Sequence, residues 1–265
     1  MIAFIGVGNM GGTLARAAVE SVGPAQVLVT SRTPEKARDF AAAQGCEAAA
    51  NPEAAQRARY LFLGVKPQMM RGVLAEIAPV LKARRDRFVL VTMAAGLSMA
   101  QIAEFAGGAY PVIRIMPNTP AAVGEGMIPY CANAEVAAEE LAEFCRILRC
   151  AGRLDPLPEH LIDAAGALSG CGPAFVYVFL ESLADAAVAC GLPRAKATAY
   201  AAQTVLGAAQ MVLNTGAHPA ALKDAVCSPA GSTIAGVHAL EAGGFRAAAE
   251  EAVLAAYRRS LELGK

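Results

Sequence analysis

Met1-Ile-Ala-Phe-Ile-Gly-Val-Gly-Asn-Met-Gly-Gly12 decides the reading of this chain. Its apolar opening has the length and composition of a buried strand, and three glycines spaced G-x-G-x-x-G follow at once, with an apolar helical pattern over 10–21 behind them. Each glycine has its own steric task. Gly6 allows the tight turn off the strand, Gly8 lets a pyrophosphate approach the backbone, and Gly11 lets the helix pack closely on the sheet. The helix start adds free N–H groups and a partial positive charge that face phosphate, with Asn9 and Met10 in the same loop. Glycine-rich turns also serve merely to change direction, but the strand before and the helix after are the context that a dinucleotide site requires.

The next strand, 27–30, runs into Ser31-Arg32-Thr33-Pro34. An NAD site carries Asp or Glu at this point to accept from the ribose 2′-hydroxyl, whereas Arg accommodates a 2′-phosphate. Ser31 and Arg32 offer a hydroxyl and a guanidinium instead of a carboxylate, which favours NADPH, with NADH as a permitted alternative. Pro34 opens a helix to about 44, and Asn51-Pro52 reads as an N-cap with proline at the first helical position. A strand over 60–65 ends at Lys66-Pro67. Strand ends line the cofactor crevice of a doubly wound sheet, so Asn51, Val65, Lys66 and Pro67 are candidate cofactor contacts. After the strand 88–92, Ala94, Ala95 and Gly96 are small enough for a ring to lie against backbone. After the strand 111–116, Asn118 stands between prolines, either as a turn residue or presenting its amide to the nicotinamide. A further strand over 126–130, a helix over 134–148 and a last strand from 152 complete a Rossmann-type α/β domain over 1–157, with a parallel sheet covered on both faces.

From 158 to 265 the strand pattern disappears, leaving helices punctuated by Gly and Pro, first at Gly170-Cys-Gly-Pro173. The helices 173–190 and 193–214 are apolar nearly all round, which asks for burial. A homodimer satisfies that demand economically, and a lipid contact is the competing solution. Between helices, Cys227-Ser-Pro-Ala-Gly-Ser-Thr233 sets small hydroxylated residues and a glycine at a helix start, a nest for a carboxylate or phosphate, although simple capping by Ser228 or Thr233 explains the same pattern.

The bulk numbers exclude several classes. With 23 basic and 23 acidic residues the chain has no broad field for nucleic acid or an anionic membrane. Seven cysteines without a C-x-x-C pair, and three scattered histidines, indicate neither a disulfide framework nor a metal site. The phosphate loop begins so early that no leader precedes it, and a cytoplasmic location is expected. Charge, Gly or Pro interrupts every apolar segment within the roughly 20 residues of a membrane span.

Taken together, Phe4-Ile-Gly-Val-Gly-Asn-Met-Gly11, Val65-Lys-Pro-Gln68, Arg114-Ile-Met-Pro-Asn-Thr-Pro120, Leu168-Ser-Gly-Cys-Gly-Pro-Ala-Phe175 and Asp224-Ala-Val-Cys-Ser-Pro-Ala-Gly-Ser-Thr-Ile-Ala-Gly236 resemble the pyrroline-5-carboxylate reductase family. The last stretch is the most specific. The resemblance implies reduction of L-1-pyrroline-5-carboxylate to L-proline by NAD(P)H, the last step of proline biosynthesis, and a helical dimerisation and substrate-binding domain, with dimers able to assemble into a ring. It implies that Thr233 bonds the imine or amine nitrogen, and that Ser228 with the N–H groups of Gly231, Ser232 and Thr233 holds the carboxylate. Ala230 stands where the family often has glycine, a change that matters little if later amides hold that carboxylate. A dehydrogenase of the β-hydroxyacid type would need a helix-borne lysine, for which Lys196 and Lys223 are poor candidates, and a sensor without chemistry would not need the 228–233 loop.

Overall fold

Alternation within the first strand builds two layers at once. The computed structural model describes residues 1–263. In it β1 (Ile2–Ile5) turns Ile2 and Phe4 to one face of the sheet and Ala3 and Ile5 to the other, all four buried, as the period of two in a strand dictates. β4 (Tyr60–Leu63) repeats the division, and the Phe4 and Phe62 rings stack at 4.4 Å between centroids. Strands buried on both sides need helices above and below. On one face α1 (Asn9–Val22), α2 (Pro34–Gln44) and α6 (Ala138–Ile147) supply Leu14, Ala41 and Phe144. On the other, α3 (Asn51–Arg57), α4 (Pro67–Ala83) and α5 (Met99–Ala106) supply Ala54, Leu74 and Ile102.

The sheet order is β3 (Glu47–Ala48), β2 (Val27–Thr30), β1, β4, β5 (Val89–Thr92), β6 (Val112–Ile115), β7 (Gly126–Ala132), β8 (Gly152–Pro156). The reversal of direction on either side of β1 opens a crevice beyond the strand ends, where ligands of such sheets bind. The wholly parallel sheet expected from the sequence fails at one junction: β7 pairs antiparallel with β6, Ile113 opposite Ala132 and Ile115 opposite Tyr130. The connection 116–125 is too short for a crossover helix, so the chain turns back on itself. α6 also starts later than the expected 134. The Asn133 amide accepts from the Val112 N–H and donates to the Tyr110 carbonyl, which holds 133–137 as a turn.

The expected break at 170–173 is instead continuous helix. α7 (Ile162–Ala165) passes through a π turn at Gly166–Gly170 into α8 (Gly172–Ala189). Pro173 follows directly on the π turn and the turn residue Cys171, where the regular i to i−4 ladder is already interrupted and its missing N–H carries little cost. The run Glu159–Ala189 is by length and composition alone enough to cross a membrane, its most apolar 18-residue stretch having a mean hydropathy of 1.4, although Gly, Pro and charge interrupt it as the sequence reading noted. Its first part is fastened to the sheet. Arg114 on β6, buried, reaches Asp163 at 2.5 Å, and Glu159 accepts from the Met99 N–H at 2.7 Å.

By packing, residues 1–171 with the end of α12 (Phe245–Leu263) make one unit, and Gly172–Ala255 the other. The second holds α8, α9 (Arg194–Thr215), α10 (Pro219–Val226), α11 (Ser232–Ala242) and the start of α12. Its buried residues are Ala184, Ala197 and Ala201, where α8 meets α9 through small side chains. Tyr177, Val178, Leu213 and Val226 are 60–70% exposed, far more apolar surface than a finished face carries.

Candidate functional site

The glycine loop is set by backbone crowding. Gly6 has φ of 98°, and its N–H and that of Val7 both donate to the Thr30 carbonyl, tying the loop to the end of β2. A Cβ at Gly11 would lie 2.1 Å from the Gly6 carbonyl oxygen, and one at Gly64 would lie 2.7 Å from the same atom. Three backbones thus meet where only hydrogen fits. Gly8, the N-cap of α1, is different: its φ of −72° suits any residue, and nothing in the protein lies within 4 Å of a Cβ placed there.

Around this loop lie two adjoining cavities that share Gly6, Ser31, Arg32, Val65, Gln68 and Met69. One, of about 760 Å3, is walled by Gly8, Asn9, Lys66 and the phosphate-side cations Arg16, Arg32 and Lys36, with no carboxylate among its lining residues. Arg16 is steadied by Thr13 Oγ1 at 3.2 Å and by the Phe40 ring. The other, of about 870 Å3, runs on past Thr30, Ala48, Ala49, Asn51, Val73 and Glu76. A cationic end without opposing carboxylates, beside a hydrogen-only cradle, fits a dinucleotide carrying a 2′-phosphate. Ser31 turns its Oγ to accept from the Thr33 N–H, which fixes the loop that presents Arg32.

Of the residues singled out from sequence, Gly6, Gly8, Asn9, Ser31, Arg32, Asn51, Val65 and Lys66 come together in these walls. Met10, Gly11, Pro67, Ala94, Ala95, Gly96 and Asn118 do not line them. Asn51 is no N-cap, since Ala50 takes that position. Its amide instead bonds Thr30 and Glu76. The Asn118 amide is engaged within the protein: Oδ1 accepts from the Met127 N–H and Nδ2 donates to the Ser169 carbonyl, both at 2.9 Å. It is a buried fastener of the π turn. Arg16, Lys36 and Glu76 escaped the sequence reading. Lys36, four residues beyond Arg32 in the first turn of α2, carried a readable signal, and Glu76, which depends on how α4 lies against α3, did not.

In the second unit the 227–233 loop turns sharply. Gly231 N–H donates to the Ser228 carbonyl at 3.1 Å, and a Cβ on Gly231 would lie 2.3 Å from Ser228 Oγ. The Gly231 N–H is thus spent on the turn and is not free to bind a carboxylate, as the sequence reading had it. Ser232 and Thr233 open α11, where first-turn N–H groups have no intrahelical acceptor, and both are exposed. Ala230 adopts φ of 57°, left-handed backbone that a Cβ disfavours, so its replacement of glycine costs about 1 kcal/mol. Lys223 bonds Asp224 at 2.9 Å, and that carboxylate holds its ammonium above the ordinary lysine range, which suits an ion pair rather than a proton-transferring base. Among the described residues, no three His, Cys, Asp or Glu gather to hold a metal ion.

Comparison with known proteins adds three kinds of finding. Residues 159–263 match the family described as pyrroline-5-carboxylate reductase dimerisation, and residues 1–96 match NADP oxidoreductase coenzyme F420-dependent. The chain is 44% identical to pyrroline-5-carboxylate reductase of Escherichia coli K12, covering 100% of this chain and 98% of that protein. Among solved structures it is similar to the Plasmodium falciparum pyrroline carboxylate reductase with NADP bound, at 31% identity and a TM-score of 0.89 over 100% of this chain and 98% of that one. It is also similar to the Coxiella burnetii pyrroline-5-carboxylate reductase, at 32% identity and a TM-score of 0.90 over the same shares.

Proposed function

The chain belongs to the pyrroline-5-carboxylate reductase family, and from that premise we propose how its own residues reduce L-1-pyrroline-5-carboxylate to L-proline, the last step of proline biosynthesis. It is an NAD(P)H-dependent oxidoreductase with a dimerisation domain. NADPH, when bound, supplies the hydride. Residues 1–157 form the cofactor-binding domain and 158–265 the dimerisation and substrate domain. Ser31, Arg32 and Lys36 take the 2′-phosphate, the N-terminus of α1 with Gly8 and Asn9 takes the pyrophosphate, and Ala94, Ala95 and Gly96 give the nicotinamide half a small backbone wall.

The observation that carries the substrate assignment is the tight 228–233 turn ahead of α11. Ser228 Oγ and the N–H groups of Ser232 and Thr233 hold the carboxylate, with Gly231 contributing by having no side chain. Thr233 Oγ1 bonds the ring nitrogen. Protonation of that nitrogen makes the adjacent carbon electrophilic, and the substrate arrives with that proton, so the protein needs no side-chain acid; it orients two reactants. The absence of Asp, Glu and Lys from 227–233 agrees with this. The dimer assembles further into a ring in the cytoplasm. Sedimentation velocity at micromolar concentration reads the assembly directly, a single dimer species overturning the ring.

Loss of nicotinamide absorbance with L-pyrroline-5-carboxylate, faster with NADPH than with NADH, is the expected result for the purified protein. Cofactor binding without oxidation would overturn the substrate assignment.

A further inference from the structure

The end of β2 leaves a chemical gap. A dinucleotide site commonly puts a carboxylate there to accept from the adenosine ribose, and Ser31 and Arg32 occupy that position here. Acceptors at this end of the cleft must come from other elements. Thr30, Asn51 and Glu76, on β2, α3 and α4, all line the larger cavity and are bonded in series. Thr30 Oγ1 donates to Asn51 Oδ1 at 2.6 Å, and Asn51 Nδ2 donates to Glu76 Oε2 at 2.9 Å. Other carboxylates nearby are engaged by arginine, Glu53 by Arg57 and Glu35 by Arg38, whereas Glu76 faces an uncharged amide.

The direction of this series follows from Glu76. A carboxylate only accepts, so the amide must turn its NH2 to Glu76 and its carbonyl oxygen to Thr30. A flipped amide would set oxygen against oxygen. Thr30 is 1% exposed on β2, held between β3 and β1, and cannot follow a wandering partner. We propose that Glu76 is a positioning residue for the cofactor: it fixes the Asn51 amide so that the second lone pair of Oδ1 and the second hydrogen of Nδ2 face the one free hydroxyl of the 2′-phosphorylated adenosine ribose, its 3′-OH. This rests on reading the cleft as the NADPH site. Asn51 makes the contact, and Glu76 acts through it.

The test uses adenosine 2′,5′-bisphosphate, a fragment that carries the adenosine ribose and its 2′-phosphate but no nicotinamide. It is titrated by calorimetry into the enzyme without NADPH for its dissociation constant and used as an inhibitor competing with NADPH, the two constants being expected to move together. Glu76→Ala is expected to raise the inhibition constant of this fragment and the KM for NADPH together, about three- to tenfold, the effect of one ill-directed hydrogen bond. Turnover at saturating NADPH and the KM for L-pyrroline-5-carboxylate should stay within about twofold. Glu76→Gln, which keeps one acceptor oxygen, falls between. Thr30→Val removes the other end of the series and moves the same two constants, which provides a second route if Glu76→Ala does not fold. An unchanged inhibition constant in these variants, or a loss of turnover without it, overturns the proposal. Failure of the fragment to compete in the unaltered protein overturns the cofactor reading beneath it.

Discussion

Alanine at Gly8 and alanine at Gly11 have opposite consequences, although the two glycines belong to one loop. At Gly11 the new Cβ would stand 2.1 Å from the Gly6 carbonyl oxygen and 3.5 Å from Gly64 Cα, so relief requires movement of backbone, not of a side chain. Gly6 cannot yield freely: its N–H is bonded to Thr30, and its own Cβ position is closed by the Gly64 carbonyl oxygen at 2.9 Å. Overpacking a core typically costs about 1–3 kcal/mol, and a backbone clash of this depth belongs at the top of that range. For a folding unit of the size of 1–171 that lowers its Tm by roughly 6–12 °C. At Gly8 the same methyl meets nothing in the protein and the backbone already suits alanine, so Tm stays within about 1 °C. The methyl instead occupies the approach of the pyrophosphate, and the KM for NADPH rises about tenfold or more. Differential scanning fluorimetry and steady-state kinetics on the two variants decide the matter. A Gly8→Ala protein that loses stability as Gly11→Ala does, or that binds NADPH unchanged, refutes the division of labour between the two glycines.

Arg32→Ala lowers catalytic efficiency with NADPH about tenfold or more, the loss of a charge-assisted hydrogen bond, and leaves NADH within about twofold; equal losses with both cofactors would remove Arg32 from the 2′-phosphate. Thr233→Ala costs about 1–3 kcal/mol in kcat/KM for L-pyrroline-5-carboxylate, measured under saturating NADPH. Glu140, buried on α6, bonds Arg87, and that guanidinium, aided by the Ala137 N–H, outweighs burial and holds the carboxyl below its ordinary 4.5. A depressed folded value means that the stabilisation is complete above 4.5 and lost as pH falls through the folded value. Glu140→Gln therefore lowers stability by about 1–2 kcal/mol at pH 7, and the difference from the unaltered protein shrinks as the pH falls below 4.5 in acid-denaturation melts.

Much of the first unit is legible because its signals are local. Period-two apolar strands, the glycine loop, Pro34 at the first position of α2 and the Ser31-Arg32 tip depend on near neighbours in the chain. The misreadings share a physical cause: polar side chains whose partners lie far along the sequence. Asn51 looked like a cap because Asn-Pro usually is one, yet its amide is claimed by Glu76 across the α3–α4 contact. Asn118 looked available because prolines flank it, yet its amide is claimed by backbone at 127 and 169. The direction of β7 likewise depends on the span of 116–125 and not on the residues of the strand. In the 227–233 loop the sequence reading left the Gly231 N–H free for a ligand, because the turn that consumes it closes on Ser228, a partner not visible from the residue types alone.

The core of the second unit, three alanines where α8 meets α9, sets how this enzyme responds to dilution. Three buried alanines with the half-buried Leu180, Leu183, Val188 and Leu192 packed on them are a small core to offset the ordering of this unit, so association through the dimerisation domain adds to the free energy that keeps 172–255 folded. Folding and association of this half are then linked by mass action. Its melting temperature rises with protein concentration, while that of the doubly covered sheet does not. On dilution the helical half is expected to melt first, with catalytic activity lost before the cofactor-binding half unfolds.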